Sequence, residues 1–164
     1  MSDKNWYIFR HGLATLSKRG YGDQIRMAQV LPEGIPPVQR LARYLDTCAY
    51  DWGVRSEFLR CAQTADIVTV ITGRTFVTDA RLNERVEEPF DTIRDRVKAF
   101  IDEMEKTPHQ HIWVCTHGIV IAALRSWLVR GEFSRQYEND YIQPGELLKI
   151  APEGVDVVKF EVLV

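Results

Sequence analysis

Two apolar runs in this chain stop in the same unusual way. Residues 5 to 9, NWYIF, are followed at once by Arg10, His11 and Gly12, and residues 111 to 115, HIWVC, by Thr116, His117 and Gly118. Each run is short and rich in aromatic or aliphatic residues, which predicts a buried strand. Each strand would then carry a histidine just beyond its carboxyl end.

Helical spacing dominates the intervening sequence. In LPEGIPPVQRLARYLD, Pro36 and Pro37 suit a first helical turn, and Val38, Leu41, Ala42 and Leu45 recur at i, i+3, i+4 and i+7. A turn at YDWG precedes an extended piece, VRSEF; LRCAQTADIVTVIT then reads as a helix stopped by Gly73, with Arg60 at its start. RTFVTD gives a second short strand and ARLNERVEEPFD an irregular loop. Ile93, Val97, Phe100, Ile101 and Met104 mark a third helix that Pro108 ends. GIVIAALRSWLV is a nearly all-apolar helix, and GELLKIA and VDVVKFEVLV are two final strands joined by a Pro-Glu-Gly turn. The twenty or so residues after Gly12, including SKRGYGDQ, have no period and read as a loop.

Strands alternating with helices predict a three-layer α/β/α sandwich with a mainly parallel central sheet, in one domain over residues 1–164. In such sheets ligands bind at the carboxyl ends of the strands. Arg10, His11, Thr116 and His117 are expected there.

Composition narrows the function classes. A chain of 164 residues can bury roughly 70% of its unfolded surface without metals or disulfides. With 21 Lys and Arg against 23 Asp and Glu, the net charge is −2, and there is no electrostatic case for nucleic acid or an anionic membrane. Cys48, Cys61 and Cys115 are odd in number and form no C-x-x-C pair, which fits reduced thiols in a cytoplasmic protein. No apolar run approaches the roughly 18 residues of a membrane span, and MSDKNW lacks the basic-then-apolar order of a signal peptide. His109 and His111 lack a nearby third ligand and read as a solvated turn entering a strand, not a metal site. Trp113, Trp127 and the run 119 to 124 read as core, and Tyr21, Phe133, Tyr137 and Tyr141 as exposed candidates for a partner surface.

Several charged positions converge on one chemistry. An arginine at a helix start stands beside unsatisfied N–H groups and the positive end of the dipole, a placement that calls for an anion between them. Arg10 and Arg60 with an imidazolium suit the oxygens of a phosphoryl group; a neutral imidazole can attack phosphorus; and Glu84, in the loop after a strand, can protonate a leaving alkoxide. A thiolate phosphatase is excluded, since Cys48 and Arg55 have six residues between them instead of five. No G-x-x-x-x-G-K-[ST] loop is present either.

FRHG, then SEFLRCAQTA, then RLNE, then CTHG resemble the ordered motifs of the histidine phosphatase superfamily, in its phosphoglycerate-mutase-like branch, over nearly the whole chain. The resemblance implies that His11 is the nucleophile, that Arg10, Arg60, His117 and Gly118 hold the phosphoryl oxygens, and that Glu84 donates the proton. It implies no metal and no organic cofactor. The chain departs from the pattern after the first motif, where Leu13, Ala14, Thr15, Leu16 and Ser17 stand; Thr15 and Ser17 are the candidates to offer hydroxyls to phosphate. Lys18 and Arg19 could recruit an anionic substrate. The sequence after Glu84, RVEEPFDTIRDRV, lacks a Gly-x-x-Glu-Gly pattern frequent in the group and adds Glu87 and Glu88 as spare carboxylates.

About 30 residues separate Glu84 from His117, too few for the helical insertion that lids the pocket of family mutases, which favours hydrolysis. The expected partner is a phosphorylated small molecule or a phosphohistidine protein. Mutase-type phosphoryl transfer and a catalytically silent phosphate-binding module are the alternatives.

Overall fold

The computed structural model describes residues 2–15 and 24–160. Its centre is a six-stranded sheet built from β1 (Asn5–Arg10), β2 (Trp52–Arg55), β3 (Val77–Thr78), β4 (His111–Thr116), β5 (Leu147–Ala151) and β6 (Gly154–Val158), in the order β3-β2-β4-β1-β5-β6. β3, β2, β4 and β1 run parallel, whereas β5 pairs antiparallel with both β1 and β6. The sheet is therefore mixed, with its two antiparallel strands confined to one edge.

Side-chain alternation explains why helices cover both faces. Along β1, Trp6 and Ile8 point to one side and Tyr7 and Phe9 to the other; β4 repeats this with Ile112 and Val114 against Trp113 and Cys115. The first set packs on α3 (Phe90–Glu105) and α4 (Gly118–Arg130), through Ile93, Val97, Phe100, Ile121 and Leu124. The second packs on α1 (Ile35–Leu45) and α2 (Leu59–Thr72), through Leu41, Ala42, Leu45, Cys61 and Val68. Both central strands are buried on both faces, as parallel strands under helical layers must be.

Two details depart from the sequence expectation. YDWG is not a turn that ends before the strand: Trp52 and Gly53 already belong to β2. Asp51 clamps this start, its carboxylate accepting from the backbone N–H groups of Gln110 and His111 at 2.8 Å. Gly53 is there for close approach, because a Cβ would lie 2.4 Å from the carbonyl oxygen of Thr75. Phe133 is not exposed but buried, its ring 4.9 Å from that of Phe90. No helix among the described residues is long and apolar enough to cross a membrane.

Candidate active site

β1 and β4 are neighbours in register, Arg10 standing opposite Thr116. The histidine after each strand therefore leaves the sheet at the same place, and the backbone N–H of His11 donates to Thr116 O at 3.3 Å. The two rings lie with centroids 5.1 Å apart, and both side chains are buried. Two separate strand ends thus make one site.

His11 has a determined tautomer. Its Nδ1 lies 2.9 Å from Gly12 O, and a carbonyl only accepts, so Nδ1 carries the proton. Its Nε2 accepts from Arg60 Nε at 3.2 Å, and a guanidinium only donates, so Nε2 holds a lone pair. Burial, with Arg60 and Arg10 adding to it and the Gly12 hydrogen bond opposing, pushes the imidazole down to about 3. His11 is a neutral base with its lone pair on Nε2.

Arg60 reaches this point because of α2. Phe58 precedes the helix in extended conformation, placing Arg60 in the first turn with its guanidinium fully buried beneath the Phe58 ring. Nη1 donates to the carbonyl of Ile25. One turn on, Thr64 Oγ1 accepts from Gly12 N–H at 3.0 Å and donates to Arg60 O at 2.8 Å, and Gln63 Oε1 accepts from Val30 N–H at 2.8 Å. The residues at i+3 and i+4 from the arginine fix its helix to the loop after β1. Gly12 is required by packing, since a Cβ would stand 2.9 Å from the side chain of Val38 and 3.2 Å from Gly34 O.

His117 is held by side chains instead of by its neighbour's carbonyl. Its Nε2 lies 2.8 Å from Ser56 Oγ and 3.5 Å from Cys61 Sγ, and the Phe58 ring meets it edge-on at 5.3 Å. Ser56 Oγ donates to Asn83 Oδ1 at 3.0 Å and accepts from Phe58 N–H at 3.1 Å. Burial, then His11, Arg60, Arg10 and Arg96, hold the His117 imidazole well below its usual range. Glu84 follows Asn83 directly. Burial raises its carboxyl above the usual carboxylate range, against the opposing Arg85 N–H bond at 2.8 Å and the charges of Arg60, Arg10 and Arg96.

An open cavity of about 230 Å³ leads to these groups, lined by Arg10, Glu84, Arg85, Glu138, Asn139 and Tyr141 among others. Arg10 Nη1 donates to Ile142 O at 3.1 Å, and its guanidinium stands 5.1 Å over the Tyr141 ring. Polar groups of both signs face one another here, beside a buried base whose Nε2 lone pair accepts from Arg60. The arrangement can hold an anion and present it to a nucleophile and a proton donor.

A family model describing the histidine phosphatase superfamily (branch 1) matches residues 6–87 and 85–157. The chain belongs to the histidine phosphatase superfamily. No curated relative matches it by sequence. Among solved structures it is similar to the α-ribazole phosphatase from Shigella flexneri, with 19% identity over 95% of each chain and a TM-score of 0.77. It is also similar to a mycobacterial glucosyl-3-phosphoglycerate phosphatase, at 14% identity over 95% of this chain and 96% of that one, with a TM-score of 0.72. A phosphoglycerate mutase from Bacillus anthracis shows 14% identity over 95% and 92%, with a TM-score of 0.70. These likenesses establish the shared phosphoglycerate-mutase-like fold.

Within this histidine phosphatase fold, Arg10, Glu84 and Gly118 line the cavity, and His11, Arg60 and His117 form a buried cluster next to Arg10 and Gly118 in the chain, joined by the Arg60–His11 bond and the close pair of rings. Thr15 does not join them: it is exposed, and its N–H and Oγ1 both donate to Gln29 O, at 2.9 and 3.3 Å. Ser17, with Lys18, Arg19 and Tyr21, lies outside the described residues. Of the spare carboxylates, Glu87 is exposed. Glu88 is turned into its own loop, where bonds from Val86 N–H at 2.7 Å and from Arg96 outweigh burial and hold its carboxyl low. His109 stacks on Trp52 at 4.9 Å, and no group of three or more His, Cys, Asp or Glu side chains able to hold a metal occurs among the described residues. Sequence reasoning missed Asn83, Glu138, Asn139 and Tyr141 as members of the site. Only Asn83 had a signal, its place beside Glu84.

Proposed function

We propose that the protein is a metal-independent phosphatase that hydrolyses a phosphomonoester or a protein phosphohistidine through a phosphohistidine intermediate on His11. The observation that carries this reading is the fixed tautomer of His11. Its one N–H, on Nδ1, donates to Gly12 O, and the remaining lone pair, on Nε2, faces the Arg60 guanidinium.

In the first step Nε2 of His11 attacks phosphorus in line with the leaving group, the P–O bond breaks, and Glu84 gives its proton to the departing alkoxide. Charge on the phosphoryl oxygens is met by Arg10, Arg60 and His117. The lone pair that attacks is the one that accepts from Arg60 Nε–H, so an arriving phosphoryl group must draw that donor onto its own oxygen. In the second step the Glu84 carboxylate takes a proton from water, which attacks phosphorus, and the P–N bond breaks. For a phosphohistidine substrate, the group expelled in the first step is the protein imidazole.

The raised carboxyl of Glu84, beside a cavity that neither Glu87 nor Glu88 lines, supports Glu84 as the acid. Hydrolysis is favoured over mutase transfer because the chain between Glu84 and His117 is taken up by a short loop, α3, a turn and β4, with no further helix inserted. Phosphate release should be measured with a chelator present, from an aryl phosphate, a panel of small phosphomonoesters and a phosphohistidine protein. Release from at least one, lost in His11→Ala, is the expected result. Undiminished release by His11→Ala would contradict the reading.

A further inference from the structure

Resting on the reading of this pocket as a phosphoryl site, a second tautomer is built into the fold, and it is opposite to that of His11. Asn83 is nine-tenths buried, and its orientation is set by Glu57. The backbone N–H of Glu57 donates to Asn83 Oδ1 at 2.8 Å, while Asn83 Nδ2 donates to Glu57 Oε1 at 2.9 Å. A flipped amide would place NH₂ against N–H and oxygen against carboxylate, losing both bonds. The oxygen of Asn83 therefore faces Ser56.

The consequence passes along the chain of contacts. Ser56 has one hydroxyl proton, and Asn83 Oδ1, which only accepts, takes it at 3.0 Å. The Ser56 oxygen is left as an acceptor, already receiving Phe58 N–H at 3.1 Å. The group 2.8 Å away on its remaining side is His117 Nε2, which must then be the donor. A neutral His117 thus carries its proton on Nε2, and its Nδ1 is a bare lone pair. That nitrogen is buried and has no hydrogen-bond partner among the described residues.

A bare lone pair repels a phosphoryl oxygen. We infer that Asn83, through Ser56, is a positioning residue that locks His117 in the Nε2–H tautomer, so that phosphoryl binding requires Nδ1 to take up a proton from solvent. The pocket then recognises a dianion by becoming more positive only when the dianion arrives. Cys61 Sγ lies 3.5 Å from Nε2 and Glu84 shares the same three arginines, while the groups that act on the imidazolium oppose it: His11 and Arg10 after and at the end of β1, Arg60 on α2 and Arg96 on α3. None of these offers a formal negative charge. A bound phosphoryl dianion does, and it reverses the balance.

Nitrogen-15 spectra of the histidine rings test this directly. In the ligand-free protein the expected pattern is a protonated Nε2 and bare Nδ1 on His117, with the reverse on His11. Saturation with inorganic phosphate in mildly alkaline buffer should leave His11 neutral and protonate both nitrogens of His117. In Asn83→Leu the Ser56 hydroxyl is released to donate to Nε2, so His117 should bind phosphate as the neutral Nδ1–H tautomer. Phosphate affinity should then fall with rising pH more steeply in the parent than in this variant, by about tenfold per pH unit, the slope of one proton. Asn83→Asp, which keeps an acceptor toward both Ser56 and Glu57 N–H, should retain the parent tautomer.

A protonated Nδ1 on His117 in the ligand-free parent would overturn the relay, whatever the protein does with phosphate. An unchanged tautomer and slope in Asn83→Leu would also overturn it; should that variant not fold, Ser56→Ala applies the same test. The expected tautomer in a parent that binds no phosphate would overturn instead the reading of the pocket, and the proton coupling with it.

Discussion

The ends of β1 and β4 are close to the same sentence written twice, Arg-His-Gly and Thr-His-Gly, yet the fold gives their histidines different supports. His11 is oriented by the carbonyl of the very next residue, a local device that survives changes elsewhere. His117 is oriented across the chain, by Ser56 from the end of β2 and Asn83 from the loop after β3. The two glycines differ likewise. Gly12 is wedged against Val38, Val30 and the backbone of Gly34, whereas a Cβ on Gly118 would meet only the face of the Tyr141 ring, at 3.3 Å. Under the proposed roles, a nucleophile needs one lone pair held in one direction, and a nearby carbonyl suffices; the oxygen-binding histidine is held by side chains from two other segments.

The largest expected break in this pairing is chemical. His11→Ala removes the attacking atom and should lower kcat by about 10⁴-fold or more, whereas His117→Ala removes one oxygen-binding group and should cost about 10²- to 10³-fold. Steady-state rates on the best aryl or metabolite phosphate give both values. Equal losses would erase the distinction between the two ends.

The pH profile sharpens the comparison further. Attack needs neutral His11, so kcat/KM on the acid side should fall only as pH approaches about 3. Proton donation needs neutral Glu84, so the alkaline limb of kcat at saturating substrate should follow its raised pKa and vanish in Glu84→Gln, leaving a lower and flatter rate. An alkaline limb unchanged in that variant would assign the acid elsewhere.

Stability is linked to the same buried rings, both of which are held neutral. The folded pKa of His11, about 3, lies below the value of about 6.5 for an unfolded histidine, so between these pH values the unfolded chain binds the extra proton. The stabilisation from keeping His11 neutral is complete above about pH 6.5 and is lost as pH falls toward 3, by at most about 1.4 kcal/mol per pH unit. Denaturant midpoints across this window should fall less steeply in His11→Asn than in the parent. The smallest effects belong to the glycines: Gly12→Ala should destabilise by about 1 to 3 kcal/mol through overpacking, and Gly118→Ala by under about 1 kcal/mol, since the Tyr141 ring can shift. Thermal unfolding measures both.

The parts of this site that the sequence announces are those governed by strand and helix periodicity. An apolar run followed by a histidine places that histidine at a strand end, and the spacing Arg60, Gln63, Thr64 sets three side chains on one helical face. What stays illegible depends on distant segments meeting. Asn83 and Ser56 lie 27 residues apart and are joined by one short polar contact, which leaves no periodic trace. Glu138, Asn139 and Tyr141 enter the cavity from the segment between α4 and β5, whose course depends on how the chain returns to the sheet edge. Gly53 has the look of turn punctuation, yet it lies inside a strand, because what excludes a side chain there is a neighbouring backbone 22 residues away.

In the proposed reaction the lone pair on His11 Nε2 becomes covalently bonded to phosphorus. Rapid quenching of the protein with an excess of a labelled phosphomonoester substrate, followed by mapping of the modified peptide, tests it most directly. The expected product is an acid-labile, alkali-stable phosphoryl group on His11, absent in His11→Asn and longer-lived in Glu84→Gln. A label on any other residue, or full turnover by His11→Asn, would contradict it.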